Sequence, residues 1–154
     1  MKSAIAVTAA VVLTLCAATT VATAAERKQV YQAGDWQVMQ SQDPMTDELS
    51  CTAIYKGEWK IQATRASFFV SLKGRGGLKA YTVRIDAAPA DKLKIATDLE
   101  KRIGAAILTD EFPRIYDASR IKIQTMTALD TVILDDVSLK GFKASIDFMR
   151  QKGC

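Results

Sequence analysis

The chain has 154 residues, 49% of them hydrophobic and 25% charged, which excludes disordered, collagen-like and low-complexity classes and suits one compact domain. It contains no histidine, so every Ser/His or Cys/His nucleophile pair, all His-ligated zinc and the commonest general base near neutral pH are ruled out. The formal charge of +4 is made of interspersed signs; no basic stripe with interleaved aromatics emerges, so nucleic acid is not an expected partner.

Residues 1–24 read as a secretory signal peptide: Lys2 gives a small positive start, residues 4–16 form an apolar run, and Ala22-Thr23-Ala24 is an A-x-A cleavage site. Cleavage one residue later, before Glu26, is nearly as good. A retained anchor is the competing reading, but Thr19, Thr20 and Thr23 break the apolar stretch and no stop-transfer charge cluster follows. Lipoprotein processing at Cys16 is disfavoured by Leu15, where a small residue is wanted. The expected mature chain is a single β-rich domain, residues 25–154, placed in the periplasm or at the cell surface, with no stable membrane span once the signal is gone.

Export leaves Cys51 and Cys154 as an even pair in a compartment where disulfides persist. A bond between them would close a loop of about 100 residues and stabilise by about 4–5 kcal/mol in the chain-entropy picture. The alternative is two unrelated thiols, one pairing with another chain. A cysteine at the last position makes little packing sense unless it pins the tail, which favours the internal bridge.

In the mature chain, residues 26–34 read as a polar lead-in. Residues 35–40 then alternate, with Trp36, Val38 and Gln40 on one side and Gln37 and Met39 on the other. Residues 41–48 carry turn chemistry around Asp43-Pro44. Cys51, Ala53 and Tyr55 share a side in the next strand, Lys56-Gly57-Glu58 links it to a strand at 59–63, and these pieces suggest an antiparallel meander. Residues 65–72 and 78–85 are two further strands. The glycine-rich stretch Lys73-Gly74-Arg75-Gly76-Gly77 reads as their hairpin loop rather than a phosphate cradle, because the strand-to-helix context and a Lys-Ser/Thr ending are missing. Residues 87–108 are ambiguous. Gly104 inside a possible helix tips the reading toward two short strands, 93–96 and 105–108, around a polar turn at 97–102.

Residues 110–118 suggest a short helix or turn packing Phe112, Ile115 and Tyr116, with Pro113 confined to its first turn. Residues 120–127 alternate with Ile121, Ile123 and Thr125 inward. Residues 128–130 turn the chain into a partner strand at 131–134 that ends at Asp135-Asp136. Ser138 then reads as the N-cap of a terminal helix whose buried stripe is Phe142, Ile146 and Met149 and whose stop is Gly153. The expected fold is mostly β: an antiparallel β-sandwich or rolled sheet of about seven to nine short strands with a C-terminal helix.

Chemistry-bearing groups are few. Asp43, Asp47 and Glu48, joined in space by Asp135 and Asp136 if the fold allows, are weak metal candidates; their spacing matches no EF-hand, and Asp is common in turns for local reasons. No metal and no cofactor are expected. Paired carboxylates could hydrolyse a glycoside across a cleft, but nothing in the sequence pairs any two. Aromatic side chains of so small a domain are needed for burial. Adjacent Phe68 and Phe69 must point to opposite faces of their strand, so one of them is a candidate exposed anchor for an interaction.

The order of a signal peptide, Gly34-Asp35-Trp36-Gln37-Val38, an early cysteine and a late Val137-Ser138-Leu139-Lys140-Gly141-Phe142-Lys143-Ala144 entering a terminal helix resembles the invasion-associated locus B family of small exported bacterial proteins. The motif-level likeness lies in the Trp36 region and in residues 138–144. Around Asp43-Pro44-Met45-Thr46-Asp47 the chain departs from the family, which carries a cysteine soon after the tryptophan, and is similar instead to segments of small secretion-associated periplasmic proteins. The resemblance implies a periplasmic or surface-associated β-sandwich, linked in some members to host-cell entry, with no catalytic residues to carry over. The expected function is a non-enzymatic binding module whose partner is another envelope or surface protein. A structural or stress-related envelope protein is the first alternative, and a carboxylate-based hydrolase the second.

Overall fold

The computed structural model describes residues 27–72 and 74–154; the signal-peptide reading lies outside the described residues. Ten strands and three helices follow in the order β1 (Arg27–Ala33), β2 (Trp36–Gln42), β3 (Leu49–Tyr55), β4 (Glu58–Ala63), β5 (Phe68–Ser71), β6 (Leu78–Ile85), β7 (Lys94–Ile95), α1 (Asp98–Ile103), β8 (Ala105–Leu108), α2 (Phe112–Tyr116), β9 (Arg120–Thr127), β10 (Val132–Ser138) and α3 (Phe142–Lys152). They build two antiparallel sheets, a six-stranded one in the order β1-β2-β3-β4-β5-β8 and a four-stranded one in the order β10-β9-β6-β7. This is a β-sandwich with a C-terminal helix.

Local chemistry sets the first meander. Gly34-Asp35 joins β1 to β2, with Gly34 at φ 52°. Lys56 and Gly57, both at positive φ, form the two-residue link between β3 and β4, the primed geometry whose twist matches paired strands. Five corrections to the sequence reading follow. The polar lead-in is strand β1, an edge strand whose Arg27, Lys28 and Gln29 are exposed, which is why no alternation showed. The glycine-rich loop at 74–77 is not a hairpin: β5 pairs with β4 and β8, while β6 belongs to the other sheet, so the loop crosses between sheets. The two short strands around 93–108 are present but fall in different sheets, and the turn between them is helix α1. Thr97 and Glu100 form a reciprocal capping box there, and Gly104, which counted against a longer helix, ends this one in the left-handed conformation. Finally, β10 runs on through Asp135 and Asp136 to Ser138, and the N-cap of α3 is Gly141 rather than Ser138.

The core lies on the inner side of the six-stranded sheet, against the four-stranded sheet and α3. Trp36, Phe68 and Phe142 are fully buried at its centre, with ring centroids 4.8–5.8 Å apart in tilted and edge-on contacts, geometries aromatic quadrupoles favour. Phe142, Ile146 and Met149 form the buried stripe of α3 as the spacing predicts, and Tyr31 of β1 stacks on Phe148 at 4.4 Å. Ile121 and Ile123 enter the core from β9, and Phe112 and Ile115 from α2.

Candidate functional site

Cys51 on β3 and Cys154 beyond α3 are joined in a disulfide that spans 103 positions of sequence. Both cysteines are buried, so the bond ties the end of the terminal helix to the middle of the six-stranded sheet from inside. The start of α3 is held as closely. The Asp35 amide donates to the Lys140 carbonyl at 3.1 Å, and the Trp36 indole N–H donates to the Ser138 carbonyl at 3.1 Å. Gly34 and Gly141 let two backbones meet: a Cβ on Gly141 would lie 1.9 Å from the Ala33 carbonyl oxygen. The segments 34–38 and 137–144 are therefore in direct contact.

The two phenylalanines part as their strand geometry requires. Phe68 is fully buried beside Trp36 and Phe142, which removes it as a surface anchor. Phe69 is half-buried on the outer side of the six-stranded sheet, between its cross-strand neighbours Gln62 and Ile107. The acidic candidates do not gather. Asp43 accepts from the Met45 and Thr46 amides at 2.7 and 3.2 Å, and Asp47 accepts from the Gln42 amide group at 3.1 Å; Glu48 is exposed in the same turn, with its carbonyl taking the Asp43 amide at 2.9 Å. Asp135 instead pairs with Lys60 across the sandwich, and Asp136 with Arg120 and Lys122. Among the described residues no group of three or more acidic, cysteine or histidine side chains could hold a metal, and no helix is long and apolar enough to cross a membrane.

Exposed aliphatic side chains also stand on the outer side of the other sheet. Strand register places Val132 opposite Met126, Met126 opposite Ala80, and Ala80 opposite Ile95, so one aliphatic row crosses all four strands on the outer side. A β-bulge between Leu78 and Ala80 is what turns Ala80 onto this row while Leu78 and Tyr81 stay in the core. Leu134 stands beside the row, opposite Gln124, and the next row is charged, with Asp136, Lys122 and Arg84. Ile95, Leu134 and Val132 are 68%, 63% and 51% exposed, whereas Ala80 between them is 1% exposed and covered. Isolated exposed aliphatics are ordinary; here Val132 and Leu134 on β10 and Ile95 on β7 stand out of one sheet side, on either side of the covered Ala80, beside a charged row. The β10 edge of the same sheet adjoins it.

A polar cleft of about 390 Å³ opens between β6, β7 and α1, lined by Tyr81, Lys94, Thr97, Glu100, Thr109 and Asp110 among others. Burial pushes the Glu100 carboxyl up, but hydrogen bonds from the Ile107 amide, from Thr97 and from Tyr81 outweigh it and hold the group below its ordinary value. The Ile107 and Thr97 amides donate at 2.9 and 2.8 Å, and the Thr97 hydroxyl at 2.8 Å. The buried Tyr81 hydroxyl is raised, first by desolvation and then by its bond to Glu100. Lys94 pairs with buried Glu111, which keeps its ammonium above the usual range. Glu100 closes α1 onto β8; a carboxylate so held is a poor proton donor.

Sequence reasoning missed the aliphatic row. Val132 and Leu134 share a parity that could have been read locally, but Ile95 and Ala80 join them only through long-range register. Comparison with family models, with curated proteins and with solved structures yields no match for this chain.

Proposed function

We propose that the chain is an exported, non-enzymatic interaction module that works in the periplasm or at the cell surface and engages another envelope or surface protein. The contact surface is the outer side of the four-stranded sheet together with the β10 edge. The carrying observation is the aliphatic row Val132–Met126–Ala80–Ile95, in which Val132 and Ile95 are exposed and Ala80 is covered, with exposed Leu134 beside it. An edge strand next to such a row offers main-chain hydrogen bonds and side-chain contacts at once, the means by which sheets accept an added strand.

Three further features support this reading. A buried disulfide suits an oxidising compartment. The most enclosed carboxylate of the polar cleft is fully engaged in holding α1, which weighs against a hydrolase built on it. The likeness of the Trp36 and 138–144 segments to the invasion-associated locus B family, whose members are exported and carry no known catalytic residues, points the same way.

The test compares tagged full-length protein with the variants Ile95→Asp, Leu134→Asp and Gln37→Ala after mild cross-linking in intact cells. Quantitative mass spectrometry should recover a defined envelope protein with the wild type and with Gln37→Ala, and lose it with either aspartate variant. Equal recovery by all four proteins would contradict the assignment of the surface.

A further inference from the structure

The outer side of the six-stranded sheet carries a different chemistry. Register aligns Gln37, Ile54, Gln62, Phe69 and Ile107 in one row across five strands. Beside this row lies a groove of about 290 Å³, walled by Phe69 and Ile103 and lined by the hydrogen-bonding side chains of Thr52, Gln62, Thr64 and Ser71. Every side chain lining it is uncharged, in a chain of which 25% of residues are charged.

We infer that this groove is a binding site for a neutral saccharide. An anionic ligand would need a cation in the lining and a cationic one a carboxylate; the groove has neither. A sugar ring needs an apolar surface for its C–H face and neutral donors and acceptors for its hydroxyls. Phe69 supplies the first; among the described residues none of the close ring–ring contacts involves it. The Thr52 and Thr64 hydroxyls and the Gln62 amide supply the second. The Gln62 amide group is already oriented, since its nitrogen donates to the Trp59 carbonyl at 2.9 Å and its oxygen remains as an acceptor. The groove volume is at the small end for ligand sites and matches a sugar rather than a folded partner. Its location is separate from the aliphatic row, so the site stands whether or not that row binds a protein.

The experiment titrates the purified oxidised protein with cellobiose, maltose and N,N′-diacetylchitobiose, and with glucose 6-phosphate as the charged control, following amide chemical shifts by NMR. At least one neutral disaccharide should give saturable shifts centred on Thr52, Phe69 and Ala105, bound more tightly than glucose 6-phosphate. Phe69→Ala should weaken this binding about tenfold. Thr52→Val removes a hydroxyl at nearly constant volume, and so stays informative if the first variant misfolds; it should weaken binding by a smaller factor. No saturable shift with any of the three disaccharides, equal or tighter binding of glucose 6-phosphate, or shifts unchanged in both variants would overturn the assignment.

Discussion

The six-stranded sheet and the four-stranded sheet share one core but are finished differently. The six-stranded sheet carries α3 on its inner side, a disulfide from its third strand to the end of that helix, and the glycine contact that seats the helix start. The four-stranded sheet has none of these. Its last strand is two residues long, and its outer side presents the exposed Val132, Leu134 and Ile95. The difference teaches a division of labour: cross-links and close backbone contacts concentrate on one sheet, and exposed aliphatics are left on the outer side of the other.

Removing the cross-link is the strongest way to break this comparison. The double variant Cys51→Ser with Cys154→Ser should lose about 4–5 kcal/mol of unfolding free energy, the worth of a loop of about 100 residues in the chain-entropy account. Urea denaturation measures it, and a loss below about 1 kcal/mol would show that the helix is held without the bond. Next in size is Gly141→Ala. Its Cβ would lie 1.9 Å from the Ala33 carbonyl oxygen at a φ of 89°, a clash that only movement of α3 or of the β1–β2 turn can relieve. A cost of about 3 kcal/mol or more is expected in the same assay.

The link between the sheets should respond more mildly, and to pH. Glu100→Gln leaves one acceptor where two were used, so buried amides lose a partner, at about 1–3 kcal/mol. Because the folded state holds Glu100 below its ordinary value of 4.5, the carboxylate's contribution is fully present above that value and is lost as pH falls through the folded-state value. Wild-type stability should therefore fall on acidification more steeply than that of the variant, as followed by thermal melts at a series of pH values. Least affected should be Ile95→Ser with Leu134→Ser, each exposed on the four-stranded sheet, with stability unchanged within about 0.5 kcal/mol. A large loss there would mean that the row is structural.

Periodicity made the central packing legible in the sequence. Trp36 and Val38 alternate with polar neighbours, and Phe142, Ile146 and Met149 recur at helical spacing because a single core lies on one side of each element. Cysteine arithmetic reached the bridge for the same reason of economy: two thiols allow one pairing. Sheet membership was not legible, since the glycine-rich segment at 74–77 serves a crossover as well as a hairpin and the choice is made by distant partners of β5 and β6. Helix α1 was too short for its period to show, although Thr97 and Glu100 three positions apart were its signal. Of the anchor pair, the strand rule correctly divided Phe68 from Phe69 but could not say which was buried. The aliphatic row needed three registers and a bulge.

The central claim, that the outer side of the four-stranded sheet is the contact surface, is tested most directly by placing a photo-cross-linking amino acid at single positions in living cells. Residues 95, 132 and 134 should each yield the same discrete adduct with one envelope protein, while Met45, 90% exposed on the far turn, should yield none. No adduct from the three row positions, or the same adduct from Met45, would contradict it.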